Sequence, residues 1–142
     1  MSGRFDDKVI IVTGATSSMG LAVAERLAAE GGIVVLAARG REAGDHLARH
    51  LASVGRDAVF VRTDVTVEVE VADLVERTTE RFGRLDGAFN NVGAATAYGP
   101  IDLIDGEAWA ADLALNLSSV FYGLKHQIPA IRRSGEIGRA HV

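Results

Sequence analysis

The sequence predicts an α/β protein built on a doubly wound parallel sheet, and three observations predict it. Short runs rich in β-branched residues alternate with longer amphipathic segments at a spacing of about 25–30 residues, as strand–helix units do. The short runs are apolar from end to end, as strands buried on both faces must be. Glycines stand where the amphipathic segments stop, at Gly31-Gly32, Gly55 and Gly83.

Each element follows in order. Val9-Ile10-Ile11-Val12 is a β-branched run between Lys8 and Gly14 and reads as the first strand. A helix from about Ser18 carries Val23, Leu27 and several alanines inward and stops at Gly31-Gly32. Residues 33–37, Ile-Val-Val-Leu-Ala, form the second strand, and residues 41–54 the second helix. Ala58-Val59-Phe60-Val61 is the third strand. The next stretch carries two periods. Val65, Val67, Val69 and Val71 alternate with polar residues like a strand, yet Val67, Val71, Leu74, Val75 and Phe82 share one helical face. The longer period covers more residues and predicts a helix over 67–82. Residues 85–89 make a fourth strand, and one long helix is expected over 105–132, with Trp109 and Phe121 among its packing residues.

Composition narrows the function. The chain has 142 residues, enough for one domain. It is 48% hydrophobic and 24% charged, as soluble globular domains are. With no cysteine it has no disulfide, no thiolate metal site and no cysteine nucleophile. A net charge of −4 argues against a nucleic-acid partner. No apolar run approaches the ~20 residues that span a bilayer. The first residues carry no signal-peptide pattern, so a cytoplasmic location without membrane attachment is expected. His46 and His50 lie four apart but have no third ligand beside them, so no metal site is expected.

Two positions point to a ligand. Between the first strand and first helix stands Thr13-Gly14-Ala15-Thr16-Ser17-Ser18-Met19-Gly20. A tight turn here aims free amides and the positive end of the helix dipole at a phosphate. Gly14 permits the turn, Gly20 permits close helix–sheet approach, and Thr16, Ser17 and Ser18 can donate to a pyrophosphate. Such a turn also occurs where geometry alone requires it. No Gly-Lys-Ser/Thr follows, so this is not a P-loop. The second strand ends Ala37-Ala38-Arg39, with no carboxylate until Glu42. An acid there would hold the adenosine ribose of NAD, whereas a guanidinium suits the additional phosphate of NADP. NADP is therefore expected, with NAD possible, unless Arg39 is simply a solvated residue at a helix start.

Together with Asp64 after the third strand, Asn90-Asn91-Val92-Gly93 after the fourth and Asn116 in the long helix, these residues resemble the classical short-chain dehydrogenase/reductases. The resemblance covers residues 5–134 and implies an incomplete Rossmann-like sheet of strand order 3-2-1-4. It implies that residues 14–20, Met19 included, hold the pyrophosphate and its ribose, and that Asp64 and Val65 border the adenine. Asn90, Asn91 and Gly93 would steady the central sheet and line the cofactor. Asn116 matches the asparagine of the catalytic tetrad, which in the family kinks the helix and holds a proton-relay water. The family's small-molecule alcohol or carbonyl substrate and its homo-oligomeric state are implied for the intact parent. Ser18 replaces the middle glycine and Val92 the usual alanine, both tolerable changes.

A larger departure concerns proton transfer. The family uses a tyrosine with a lysine four residues on, because the alkoxide formed at hydride transfer must exchange a proton. Four residues after Tyr98 stands Asp102, and four after Tyr122 stands His126. Tyr122 and Lys125 read as ordinary helix residues. Residues 1–135 are thus expected to form a partial dinucleotide-binding domain without normal turnover. Residues 136–142 are expected to be a non-native tail, since 137–142 and a stop can be encoded by ATCGGAAGAGCACACGTCTGA, a string resembling a sequencing adapter. Two other readings stand beside this one: a non-catalytic nucleotide-sensing domain, and a methyltransferase-like Rossmann domain.

Overall fold

Residues 2–135, and the backbone of 140–141, are described by the structure, a computed structural model. The sheet is parallel throughout, in the order β3-β2-β1-β4-β5. Its strands are β1 (Val9–Thr13), β2 (Ile33–Ala38), β3 (Ala58–Arg62), β4 (Gly87–Phe89) and a two-residue β5 (Ala140–His141). The first four strands have the expected order 3-2-1-4. The expected foreign tail, 136–142, otherwise lies outside the described residues.

β1 is central and wholly buried, which its unbroken apolar run required. Side chains leave a strand on alternate faces, and two cores result. Val9, Ile11, Val35 and Ala37 face Leu74, Val75, Ala130 and Ile131 on one side. Val12, Val34 and Leu36 face Ala24, Ala28, Leu47 and Leu51 on the other. Each large side chain buried this way contributes about 1.5–3 kcal/mol. Helices α1 (Ser18–Ala29) and α2 (Arg41–Ser53) cover the second face. Gly20, Ala24 and Ala28 give α1 a stripe of small buried residues, so its axis lies close to the strands.

Helix α3 (Glu68–Phe82) and the last helix cover the first face. The helical period was the right reading of 67–82, though Val67 is the N-cap and is 37% exposed. Gly83 ends α3 at φ 75°, the left-handed conformation glycine adopts without strain.

Three expectations are corrected. β4 begins at Gly87, not at residue 85, because the buried Asp86 carboxylate accepts the Val9 amide at 2.8 Å. Its own amide donates to the Val9 carbonyl at 2.8 Å, so regular pairing starts one residue later. The long helix is not one α-helix: α4 (Gly106–Leu113) and α5 (Ser119–Arg133) are joined by a π-helical turn, Ala114–Ser118. Trp109 and Phe121 are not packing residues, being 53% and 59% exposed. The inward side of α5 belongs instead to Ser119, Gly123, Gln127, Ala130 and Ile131. Leu113 and Leu117, also exposed, lie between the two aromatic rings in sequence.

Candidate nucleotide-binding site

At the carboxyl end of β1 the chain turns at Gly14, φ 62°. A Cβ at Gly20 would lie 2.0 Å from the Gly14 carbonyl oxygen, so only glycine lets α1 start this close to the turn. Ser18 also has positive φ, 49°, which explains why a glycine suits this position and what its replacement strains. The N-cap Ser17 makes no side-chain capping bond, and the first turn of α1 has no acidic residue. Helices α2, α3 and α4 carry Glu42, Glu68 with Glu70, and Glu107 at the corresponding places. The start of α1 thus keeps its positive dipole end uncompensated, with donor amides facing outward. Thr16 is half-buried beside them, while Ser17, Ser18 and Met19 are exposed.

The turn is tied to the next strand. Asn91 donates its amide to the Thr13 hydroxyl at 3.0 Å and its side-chain nitrogen to the Gly14 carbonyl at 3.5 Å. Both ends of the Asn90 amide are engaged by Gln127 of α5, at 2.8 and 2.7 Å. A Cβ at Gly123 would come 2.9 Å from the Asn90 oxygen, so this glycine makes room for the pair. Asn90 accordingly fixes the end of β4 to α5. Gly123 and Gln127 were missed by the sequence reading, and Thr13 was named there as part of the turn without this role. A glutamine at the same helical phase as Gly123 and Ile131 was the available signal.

Toward β2 and β3, Arg39 is exposed just past the end of β2. A crevice of about 900 Å³ runs from Thr16 to Gly40, with Glu25, Arg41, His46 and His50 along it, so the turn and the end of β2 share one opening. Asp64 accepts from the Thr66 hydroxyl at 2.7 Å and the Thr66 amide at 3.0 Å. The Thr66 hydroxyl, with help from the Thr66 amide and the charges of Arg39 and Arg62, outweighs burial and holds the Asp64 carboxyl below its usual range. Glu70, also missed, accepts the Asp64 amide at 3.0 Å and Arg62 at 2.9 Å, which fixes the backbone carrying Asp64. Val65 is buried, so only its backbone is left to face the opening.

On the other side of β1, a Cβ at Gly93 would lie 3.1 Å from the Asn116 oxygen. Asn116 sits in the π turn. Its oxygen accepts the Ala94 amide at 3.1 Å, and its nitrogen donates to the carbonyls of Ala94 at 2.5 Å and Asp112 at 2.8 Å. Ser119 donates to the Leu115 carbonyl at 2.5 Å. These side chains take carbonyls that helical amides otherwise use, which accommodates the wider turn. Lys125 forms an ion pair with Glu68 at 2.5 Å, and Tyr98 is 79% exposed.

The geometry has close counterparts. The sequence model for short chain dehydrogenases matches residues 8–139. The chain is 35% identical to a 3beta-hydroxysteroid dehydrogenase of Mediterraneibacter gnavus, over 94% of this chain and 48% of that protein. It is 37% identical to a levodione reductase of Leifsonia aquatica, over 93% of this chain and 50% of that one. A short-chain type dehydrogenase/reductase from Mycobacterium ulcerans superposes with TM-score 0.88 at 33% identity, covering 95% of this chain and 50% of that structure. An NAD+-bound xylitol dehydrogenase also gives TM-score 0.88, at 32% identity, over 94% and 52% of the two chains. The chain spans about half the length of the curated relatives it matches. These relatives are dehydrogenases and reductases by name, which favours neither the methyltransferase nor the sensor reading.

Proposed function

This chain belongs to the short chain dehydrogenase family, and on that premise we propose that residues 1–135 are the cofactor-binding part of an NADP-preferring oxidoreductase interconverting a small alcohol and its ketone. The start of α1 carries the reading: a turn with no room for a Cβ at Gly20, a helix end without acid or side-chain cap, and exposed hydroxyls beside it. A diphosphate fits that set of donors. Gly14, Thr16, Ser17, Ser18, Met19 and Gly20 would hold it, with Asp64 and the Val65 backbone at the adenine and Asn90, Asn91 and Gly93 along the other half. When bound, the nicotinamide would supply the hydride transfer, in either direction.

Arg39 decides between the two dinucleotides. Its exposed fork offers paired donors to a 2′-phosphate, and no carboxylate stands at the end of β2 to take a ribose diol. Asn116 is the one residue of the family's catalytic set found here. No tyrosine in the chain has a lysine four residues on, so these 142 residues would bind the dinucleotide without turning it over. The whole protein would work in the cytoplasm as a homo-oligomer on small carbonyl compounds.

Titration calorimetry of the chain with NADPH and NADH tests this. Arg39→Ala should weaken NADPH about 10–100-fold, as expected for a charge-assisted bond of about 1.5–3 kcal/mol, and NADH by less than about 2-fold. Equal losses for both would remove the phosphate-clamp role.

A further inference from the structure

Past Gly93 the chain runs without regular structure until a 3-10 turn at Ile101–Leu103. One carboxylate pins that segment. Asp112 of α4 accepts the Thr96 amide through both oxygens at 3.0 Å, the Thr96 hydroxyl at 2.7 Å and the Ala97 amide at 2.9 Å. The Ala97 amide and the Thr96 hydroxyl hold this carboxyl below its usual range, so it is ionised at neutral pH. One turn along the helix Asn116 grips Ala94, and the stretch 94–97 is thereby bonded to the helix at three residues.

The place of this segment gives it a task. β4 flanks β1 on the side opposite β2. A dinucleotide with its diphosphate at the start of α1 and its adenosine by Arg39 and Asp64 must lay its nicotinamide half toward β4, past Gly93. We infer that Asp112 is a positioning residue for that half of the cofactor site, holding Thr96 and Ala97 as a rim already set in the free protein. This rests on the dinucleotide reading above. Asp112 acts only through Thr96 and Ala97. A segment ordered beforehand loses no conformational freedom on binding, so affinity for the nicotinamide half is retained.

The purified chain, Asp112→Ala and Asp112→Asn would be titrated with NADPH and with adenosine 2′,5′-bisphosphate, which lacks the nicotinamide half. Amide exchange at Thr96 and Ala97 would be followed in the same samples. Asp112→Ala should weaken NADPH roughly 5–20-fold while the bisphosphate stays within about 2-fold, and exchange at both amides should rise at least about 10-fold. Asp112→Asn, with one acceptor oxygen left, should fall between. Unchanged NADPH affinity in Asp112→Ala, or parallel losses for both ligands, would overturn the assignment. If Asp112→Ala fails to fold, Thr96→Val makes the same comparison through the hydroxyl bond alone. A wild-type chain that binds neither ligand would instead fail the dinucleotide reading, and the positioning role would fall with it.

Discussion

Gln127 is 1% exposed, and its amide is bonded at both ends to Asn90. Leucine in its place keeps most of the volume, removes two hydrogen bonds and leaves the Asn90 amide facing hydrocarbon. Each bond contributes about 0.5–1.5 kcal/mol net, and a stranded polar group costs about 1–3 kcal/mol. Asn90 is only half-buried, so water reaches it in part and the low end of the second range applies. The more apolar side chain offsets roughly 1 kcal/mol. Gln127→Leu should therefore destabilise by about 2 kcal/mol. With a urea slope of about 1–3 kcal/mol per molar, the unfolding midpoint falls by about 1 M. Asn90→Ala in the same chain should add less than it does alone, since the partner is already gone, with a coupling of about 1–2 kcal/mol. A loss below about 0.5 kcal/mol, or strictly additive single variants, would refute the pairing.

Two further outcomes follow from single residues. Ser18 sits at φ 49°, a conformation that strains any side chain, and Ser18→Gly should raise stability by about 0.5–1 kcal/mol in thermal melts. A lower melting temperature would show that the turn is unstrained. Burial alone would raise the pKa of Asp86, but the Arg84 guanidinium and the Val9 amide outweigh it and hold the carboxyl below its usual range. A group with a lowered folded pKa contributes stability above its unfolded value, near ~3.9, and that contribution is lost as pH falls through the folded value. Acid should therefore destabilise the wild type more steeply than Asp86→Asn as the pH is lowered from about 6 to 3. Parallel stability curves would deny Asp86 this part.

β1, β2 and β3 were legible because each is a largely contiguous apolar run, and α1 to α3 because glycine or a change of period marks their ends. The glycine turn was legible for the same local reason. What escaped depends on partners distant in sequence. Nothing beside Asn90 announces that Gln127, on another element, will take both ends of its amide. The shortened β4 reflects a carboxylate, Asp86, standing in for part of the ladder at Val9. The break in the long helix falls at Asn116, where the resemblance implied a kink, but the apolar period does not report that Asn116 and Ser119 take backbone carbonyls there. Trp109 and Phe121 were misplaced because hydrophobicity says that a residue can be buried, not which side of a helix finds something to cover it.

The wider turn at 114–118 also governs alignment on the outside of the molecule. Residues four apart creep steadily around an α-helix, and a looped-out step winds the chain back. Trp109, Leu113, Leu117 and Phe121, all solvent-facing, are therefore kept in one file across the break rather than spiralling away from one another. One extra residue thus serves two masters: it swings an asparagine over to grasp the neighbouring loop, and it straightens a greasy seam along the solvent side.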